Sequence, residues 1–140
     1  MIDKEVIQEK ISIVEKNLEI AKEIGKQELE KFSENYRDIL AAKHALLESI
    51  EACLDIANHI ISEKGFRRPE DYKDMFKILE ENKIISNVLF NKLIEMAKFR
   101  NLLVHKYAEI ENKKLHVILQ KNLIDIENFL KAIAKFLESG

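Results

Sequence analysis

Apolar residues recur at intervals of three and four along most of the chain. This spacing places them on one side of an α-helix, so each such run predicts a helix with one buried stripe. The first run extends from about Asp3 to Ile24, with Asp3 suited to cap its N-terminus and Gly25 a plausible stop. A polar connector with a short helical turn is expected at residues 26–34.

The longest apolar run lies between residues 35 and 64. Gly65 follows it and can end the helix in the left-handed conformation that glycine tolerates. A third helix is expected from Pro69 to about Asn82, because the fixed φ and missing N–H of proline suit the first helical position.

Two further helices are expected in the C-terminal half. Ser86 can cap a fourth helix, whose apolar positions continue to Val104. Periodicity is lost over residues 107–112, which predicts a turn, and a fifth helix follows at about 113–138. Short links favour antiparallel neighbours. The chain is therefore expected to be one all-α domain, residues 1–140, folded as an up-and-down antiparallel bundle of four to five helices.

Composition supports this picture and excludes several classes. Three Gly and one Pro are too few for the turns of a β-sandwich or an α/β domain. No apolar run approaches the ~20 residues of a membrane helix, and the N-terminus lacks the order of a signal peptide. A single cysteine, Cys53, excludes a disulfide framework within one chain, and a cytoplasmic location is expected. With a net charge of −2, any nucleic-acid role must rest on a local patch.

Four side chains of complementary chemistry lie near the end of the fourth helix. Arg100 offers a planar charge for a phosphate, and His105 can exchange a proton near neutral pH. Asn101 lies about 40° from His105 on a helix and can orient its ring, while Tyr107 falls within about 20° of Arg100. The spacing alone leaves two interpretations open: a phosphate-binding site, or a solvated arginine beside a histidine and a tyrosine that cap and pack.

Two polar residues interrupt the apolar part of the second helix. Asp55 and His59 are four residues apart and share a helix face. They form either a supporting group near the cleft, which could bond to Arg100 across the bundle, or a satisfied intrahelical pair. A metal site that adds His44 is not favoured, because no third ligand shares their spacing. No metal and no cofactor are expected.

The turn after Gly65 carries Arg67 and Arg68. These two arginines either extend a phosphate-binding surface or form a solvated loop pair.

Three segments resemble one known family. Residues 100–107 (RNLLVHKY) resemble the Arg-x4-His-x-Tyr motif of HepT-like toxins, which belong to the HEPN superfamily of helical ribonucleases. Residues 51–61 (EACLDIANHII) and 65–72 (GFRRPEDY) match further family segments in the same order. The resemblance extends from about Tyr36 to the fifth helix.

The resemblance implies a homodimeric, metal-independent ribonuclease, the toxin of a prokaryotic toxin–antitoxin pair. Arginine and histidine from both protomers would line one composite cleft. Arg100 would bind the scissile phosphate, and His105 would assist proton transfer as the RNA 2′-OH attacks. Asn101 would hold the histidine ring or a phosphate oxygen.

The resemblance also implies a protein partner. An MntA-like nucleotidyltransferase antitoxin would transfer AMP to the motif tyrosine, which is Tyr107 here. The alternative is a non-catalytic helical module that binds a nucleotidyltransferase or a nucleotide, with the Arg100–His105 pair serving recognition.

Overall fold

The computed structural model describes residues 1–139 of the chain. In this range it contains seven α-helices and one 3-10 turn, with no β-strand. In chain order the elements are α1 (Lys4–Gly25), α2 (Leu29–Glu34), α3 (Tyr36–Lys64), α4 (Tyr72–Glu81), α5 (Asn87–His105), the 3-10 turn (Tyr107–Glu109), α6 (Asn112–Lys121) and α7 (Leu123–Ser139). The predicted all-α class is confirmed, although the helices outnumber the four or five expected.

The long helix α3 lies between α1 and α5. Its contacts with α1 join the start of α1 to the end of α3, through Asp3 with His59 and Lys10 with Asp55. Its contacts with α5 join Glu51 to Arg100, and the N-terminal half of α3 to the turn that follows α5. Both pairings are antiparallel. This was predicted for α1 and α3, the first two predicted helices, but not for α3 and α5, which a strictly alternating bundle would place parallel.

Three of the predicted helix ends are confirmed in detail. The Asp3 carboxylate accepts hydrogen bonds from the backbone N–H groups of Glu5 and Val6, at 3.0 and 3.3 Å. The Ser86 hydroxyl accepts one from the Leu89 N–H at 3.1 Å. Gly65 has φ of 66°, the left-handed conformation that ends a helix at little cost for glycine.

Gly25 is the last residue of α1, but the reason differs from the expected one. Its φ is not positive, so left-handed freedom plays no part. A Cβ at this position would lie 3.0 Å from Leu119 Cβ and 3.2 Å from the Leu119 carbonyl oxygen. Glycine is needed here because α6 packs directly against the backbone of α1.

The third helix was expected to begin at Pro69, and this prediction is wrong. Helix α4 begins at Tyr72, because Asp71 is its N-cap and accepts a hydrogen bond from the Asp74 N–H at 2.8 Å. Asp74 in turn accepts one from the Glu70 N–H at 2.9 Å. These reciprocal bonds satisfy N–H groups at the helix start and place Pro69 in the preceding loop.

The single fifth helix predicted over residues 113–138 is also wrong. The chain forms α6 and α7 here, with a break at Asn122 between them. Two local hydrogen bonds cross this break: the Asn122 side-chain amide donates to the Asp125 carboxylate at 3.3 Å, and the Asp125 N–H donates to the Asn122 carbonyl at 3.1 Å. In the N-terminal half, the connector over residues 26–34 contains the short helix α2.

Every α-helix contributes to one continuous apolar core in the described part of the chain. Its largest fully buried side chains include Phe32, Phe76, Phe129, Ile7, Leu46 and Ile50. Cys53 lies in this core, where burial raises the pKa of its thiol to about 12. That thiol is protonated at neutral pH and packs as a small apolar group. None of the described helices is both long and apolar enough to cross a bilayer.

Candidate functional site

Arg100 is held on three sides at the α3–α5 interface. Its Nε donates a hydrogen bond to Glu51 Oε1 at 2.6 Å, and its Nη1 donates to Asn101 Oδ1 at 3.2 Å. The Tyr72 ring of α4 stacks on the guanidinium, with 4.4 Å between the Arg100 Cζ and the ring centroid. The side chain is only 15% exposed. These contacts fix the plane of the guanidinium and use two of its five N–H donors.

His105 is the last residue of α5 and is exposed. No residue described by the structure forms a hydrogen bond with its ring. Five positions along a helix separate His105 from Arg100, which amounts to about 140° around the axis and ~7.5 Å along it. The two side chains therefore leave α5 in different directions, and one chain does not bring them together.

Tyr107 was expected to share a helix strip with Arg100, and this prediction is wrong. Helix α5 ends at His105, where Lys106 adopts φ of −136° and ψ of 40° and donates its N–H to the Leu102 carbonyl at 2.8 Å. Tyr107 opens the 3-10 turn instead. The angular relationship calculated for a continuous helix does not apply beyond His105.

The Tyr107 segment is attached to α3 by Lys43. The Lys43 ammonium donates to the Tyr107 carbonyl oxygen at 2.9 Å and lies 4.5 Å from the centroid of the Tyr107 ring. Burial lowers the pKa of Lys43 and raises the pKa of the Tyr107 phenol, with a smaller contribution to the latter from Tyr36. Sequence reasoning missed Lys43. The available signal was its position in an apolar stripe with Ile39 and Leu46.

Asp55 and His59 do not reach Arg100. The Asp55 carboxylate forms an ion pair with Lys10 of α1 at 3.0 Å. His59 Nε2 accepts a hydrogen bond from the Asp3 backbone N–H at 3.0 Å. Neither the expected intrahelical pair nor a bond across the bundle to Arg100 is formed among the described residues. Both residues join α3 to α1, and Glu51, one turn before Asp55, takes the place beside Arg100.

Within the described residues, His44 does not take part in a metal site. It bonds to Glu48 on the same helix, with 2.8 Å between His44 Nε2 and the carboxylate. Over residues 1–139, no three side chains of His, Cys, Asp or Glu are grouped so that they could hold a metal ion.

Arg67 lies in the loop before α4 and is bound to two carboxylates of that helix. Its guanidinium forms two hydrogen bonds with the Asp74 carboxylate, at 2.7 and 2.8 Å. Two more go to Glu81, at 3.0 and 2.8 Å. These four hydrogen bonds attach the loop before α4 to both ends of that helix. Arg67 is therefore committed to two carboxylates, and Arg68 beside it is exposed.

The family model described as Ribonuclease HepT-like matches residues 14–133. The chain belongs to this family. The match includes all of α3 and α5, and hence Glu51, Arg100, His105 and Tyr107.

A curated relative of the HepT-like chain is the mRNA nuclease HepT of Shewanella oneidensis. It is 36% identical over 83 residues, which are 59% of this chain and 62% of the relative. The chain thus aligns with less than two thirds of the length of that relative.

Solved structures resemble the HepT-like chain over nearly its full length. One is described as a crystal structure of a toxin–antitoxin with AMP-PNP. It is 26% identical with a TM-score of 0.86, over 94% of this chain and 98% of the other. Another is described as a tri-AMPylated Shewanella oneidensis HEPN toxin in complex with MNT antitoxin. It is 27% identical with a TM-score of 0.85, over 93% and 97% of the two chains.

Proposed function

We propose that this HepT-like chain is the toxin of a prokaryotic toxin–antitoxin pair, a cytoplasmic ribonuclease that acts without a metal ion. One observation carries the proposal. The Arg100 guanidinium is fixed by Glu51, Asn101 and Tyr72 on the same helix that ends in the exposed His105. A preoriented arginine and an accessible imidazole are the groups that phosphodiester cleavage by an internal hydroxyl needs.

The reaction follows from these two side chains. The RNA 2′-oxygen forms a bond to the adjacent phosphorus, and the bond from phosphorus to the 5′-oxygen breaks. An imidazole accepts the proton of the 2′-OH, and the departing 5′-oxygen takes a proton from solvent water. The remaining N–H donors of Arg100 stabilise the charge that builds on the phosphate oxygens, and Asn101 keeps the guanidinium in plane.

The active cleft in this proposal belongs to a homodimer. Within one chain, Arg100 and His105 point in directions about 140° apart, so a second copy is needed to place an imidazole opposite the guanidinium. Exposed apolar side chains occur on both elements beside the Tyr107 turn: Tyr36 and Leu40 on α3 and Val104 on α5. Such side chains are suited to an interface between copies.

Control of the toxin is assigned to Tyr107. In the proposed step, the phenol oxygen attacks the α-phosphorus of ATP and pyrophosphate leaves, while a base of the MntA-like nucleotidyltransferase accepts the phenol proton. The solved structure described as tri-AMPylated, with its MNT antitoxin, supports this role by its likeness to the chain. The added phosphate carries negative charge to the His105 end of the motif, where it repels RNA.

A cleavage assay in EDTA distinguishes this proposal from the alternative, a non-catalytic module that binds a nucleotidyltransferase or a nucleotide. We expect the purified, unmodified wild type to cleave RNA, and both Arg100→Ala and His105→Ala to lose this activity while remaining folded. Arg68→Ala is the matched control, because it removes an exposed arginine outside the site. Equal cleavage by all four proteins, or none by the wild type, would favour the non-catalytic module.

A further inference from the structure

Lys43 is a buried cation that the proposed cleavage reaction does not use. Its residue exposure is 6%, although lysine is among the residues least often buried. No carboxylate in the described part of the chain forms an ion pair with it. Removing an ammonium from water without a countercharge costs free energy, so other contacts of the ammonium must offset this cost.

The hydrogen bond and the cation–π contact of the Lys43 ammonium both go to Tyr107. The ammonium donates to the Tyr107 carbonyl oxygen at 2.9 Å and covers one face of the Tyr107 ring, 4.5 Å from its centroid. One contact holds the backbone and the other holds the side chain. Both arise from α3, a helix of 29 residues that packs against most of the domain. The Tyr107 turn is thus attached to the longest helix that the structure describes.

Besides Lys43, this turn is supported by the buried Ile110 that follows it and by the partial packing of Tyr107 on the apolar core. Lys106 and Ala108 are exposed, and the 3-10 turn buries no residue of its own. A three-residue 3-10 turn has few hydrogen bonds and depends on tertiary contacts for a defined position. Without Lys43, the described contacts that hold the Tyr107 backbone against α3 are lost.

We propose that Lys43 is the positioning residue for AMP transfer to Tyr107. Its two contacts hold the phenol at one place and in one orientation, so that the hydroxyl meets the α-phosphorus of the nucleotide bound to the partner enzyme. Lys43 takes no proton and touches no nucleotide in this step. The inference rests on the acceptor role of Tyr107 proposed above.

A transfer assay with ATP and the cognate MntA-like nucleotidyltransferase tests the role of Lys43. Lys43→Met keeps the length of the side chain and removes its donors and charge. Lys43→Gln keeps an N–H donor for the Tyr107 carbonyl without the charge. Lys106→Met is the matched control, because it removes an exposed lysine from the same segment. Gain of AMP is followed by intact mass at saturating ATP.

We expect Lys43→Met to slow the transfer about ten- to hundredfold, the range that misplacing a reacting group produces. The apparent KM for ATP should not change, because Lys43 lies on the acceptor and not in the ATP site. Lys43→Gln should recover part of the rate, and Lys106→Met should match the wild type. A general loss of stability would also lower the rate, but it would speed amide exchange in α3 as well, which the next measurement detects.

Hydrogen exchange gives a second measurement that needs no partner. Amides of residues 106–110 should exchange faster in Lys43→Met than in the wild type or Lys106→Met, while the amides of α3 stay protected. Equal transfer rates in wild type and Lys43→Met would overturn the role of Lys43, whatever the exchange of residues 106–110. Absence of any mass gain by the wild type would instead overturn the acceptor role of Tyr107.

Discussion

The Glu51 carboxylate lies 2.6 Å from the Nε of Arg100, across the interface between α3 and α5. Both Nη groups of the guanidinium are left without a carboxylate among the described residues, so Arg100 is oriented while its outer face stays available for the phosphate of the proposed reaction. A charge-assisted hydrogen bond of this kind contributes about 1.5–3 kcal/mol.

Glu51→Ala should therefore lower RNA cleavage about tenfold or more, because Arg100 loses its fixed orientation. Glu51→Gln keeps an acceptor for the Arg100 Nε and should fall between Glu51→Ala and the wild type. Initial cleavage rates of folded proteins measure this. Glu48→Ala, one turn away on α3, is the control and should cleave at the wild-type rate. A Glu51→Ala protein as active as that control would contradict the positioning role.

The Tyr72 ring should matter for its stacking on Arg100 more than for its hydroxyl. Tyr72→Phe keeps the stacked ring and should cleave RNA within about twofold of wild type, whereas Tyr72→Leu should lose about tenfold, since a cation–π contact contributes about 0.5–2 kcal/mol. Thermal midpoints of both variants show whether the fold is intact. Equal losses in the two variants would mean that the hydroxyl, and not the stacking, is what the site requires.

Mixed dimers test the composite cleft. Arg100→Ala and His105→Ala homodimers each lack one of the two groups and should be inactive. A dimer with one subunit of each kind retains one arginine and one histidine on different subunits. Coexpression with two affinity tags isolates this species, and we expect it to regain measurable cleavage. No recovery in a purified mixed dimer would argue that each chain uses its own arginine and histidine.

Acid should weaken the hydrogen bonds between Arg67 and the carboxylates of Asp74 and Glu81, and with them the stability of the fold. Arg67 lowers the pKa of the Asp74 and Glu81 carboxyls below their ordinary values of 3.8 and 4.5. A carboxyl with a lowered pKa in the folded chain stabilises the fold above its unfolded pKa, and this stabilisation is lost as the pH falls through the folded pKa.

The urea midpoint of the wild type should therefore exceed that of Arg67→Met at pH 7, and the difference should shrink towards pH 3. Arg68→Met removes a neighbouring arginine and should show little difference from wild type at either pH. A wild-type advantage over Arg67→Met that stays constant with pH would mean that the carboxylates are not its source.

The helices were predictable where local chemistry marks their ends. Asp3, Ser86 and Gly65 act through the backbone within four residues of themselves, and such interactions are visible in the sequence. The break at Asn122 was not predictable, because the apolar stripe continues in phase from Leu119 to Leu123 without Gly or Pro. Local hydrogen bonds between Asn122 and Asp125 leave no mark on hydrophobic periodicity.

The candidate site could be proposed from the sequence as a motif, but its arrangement could not be predicted. Arg100, His105 and Tyr107 are recognisable from their spacing, but their partners come from distant parts of the chain. Glu51 and Lys43 are 49 and 64 positions away from the residues they hold. By sequence, Asp55 is as suitable a partner for Arg100 as Glu51 is. Only the fold distinguishes them, because the packing of α1 against α3 pairs Asp55 with Lys10.

Helix α3 carries both Lys43 and Glu51, so one helix holds the residues that position Tyr107 and Arg100 for the proposed AMP transfer and RNA cleavage. Two helical turns, or ~12 Å, separate the residue that holds Tyr107 from the residue that holds Arg100. In the proposed function, AMP at Tyr107 and an RNA phosphate at Arg100 both depend on residues of this one helix. If AMP attachment changes the free energy of RNA binding, bound RNA changes the free energy of AMP attachment by the same amount, since coupling between sites is reciprocal.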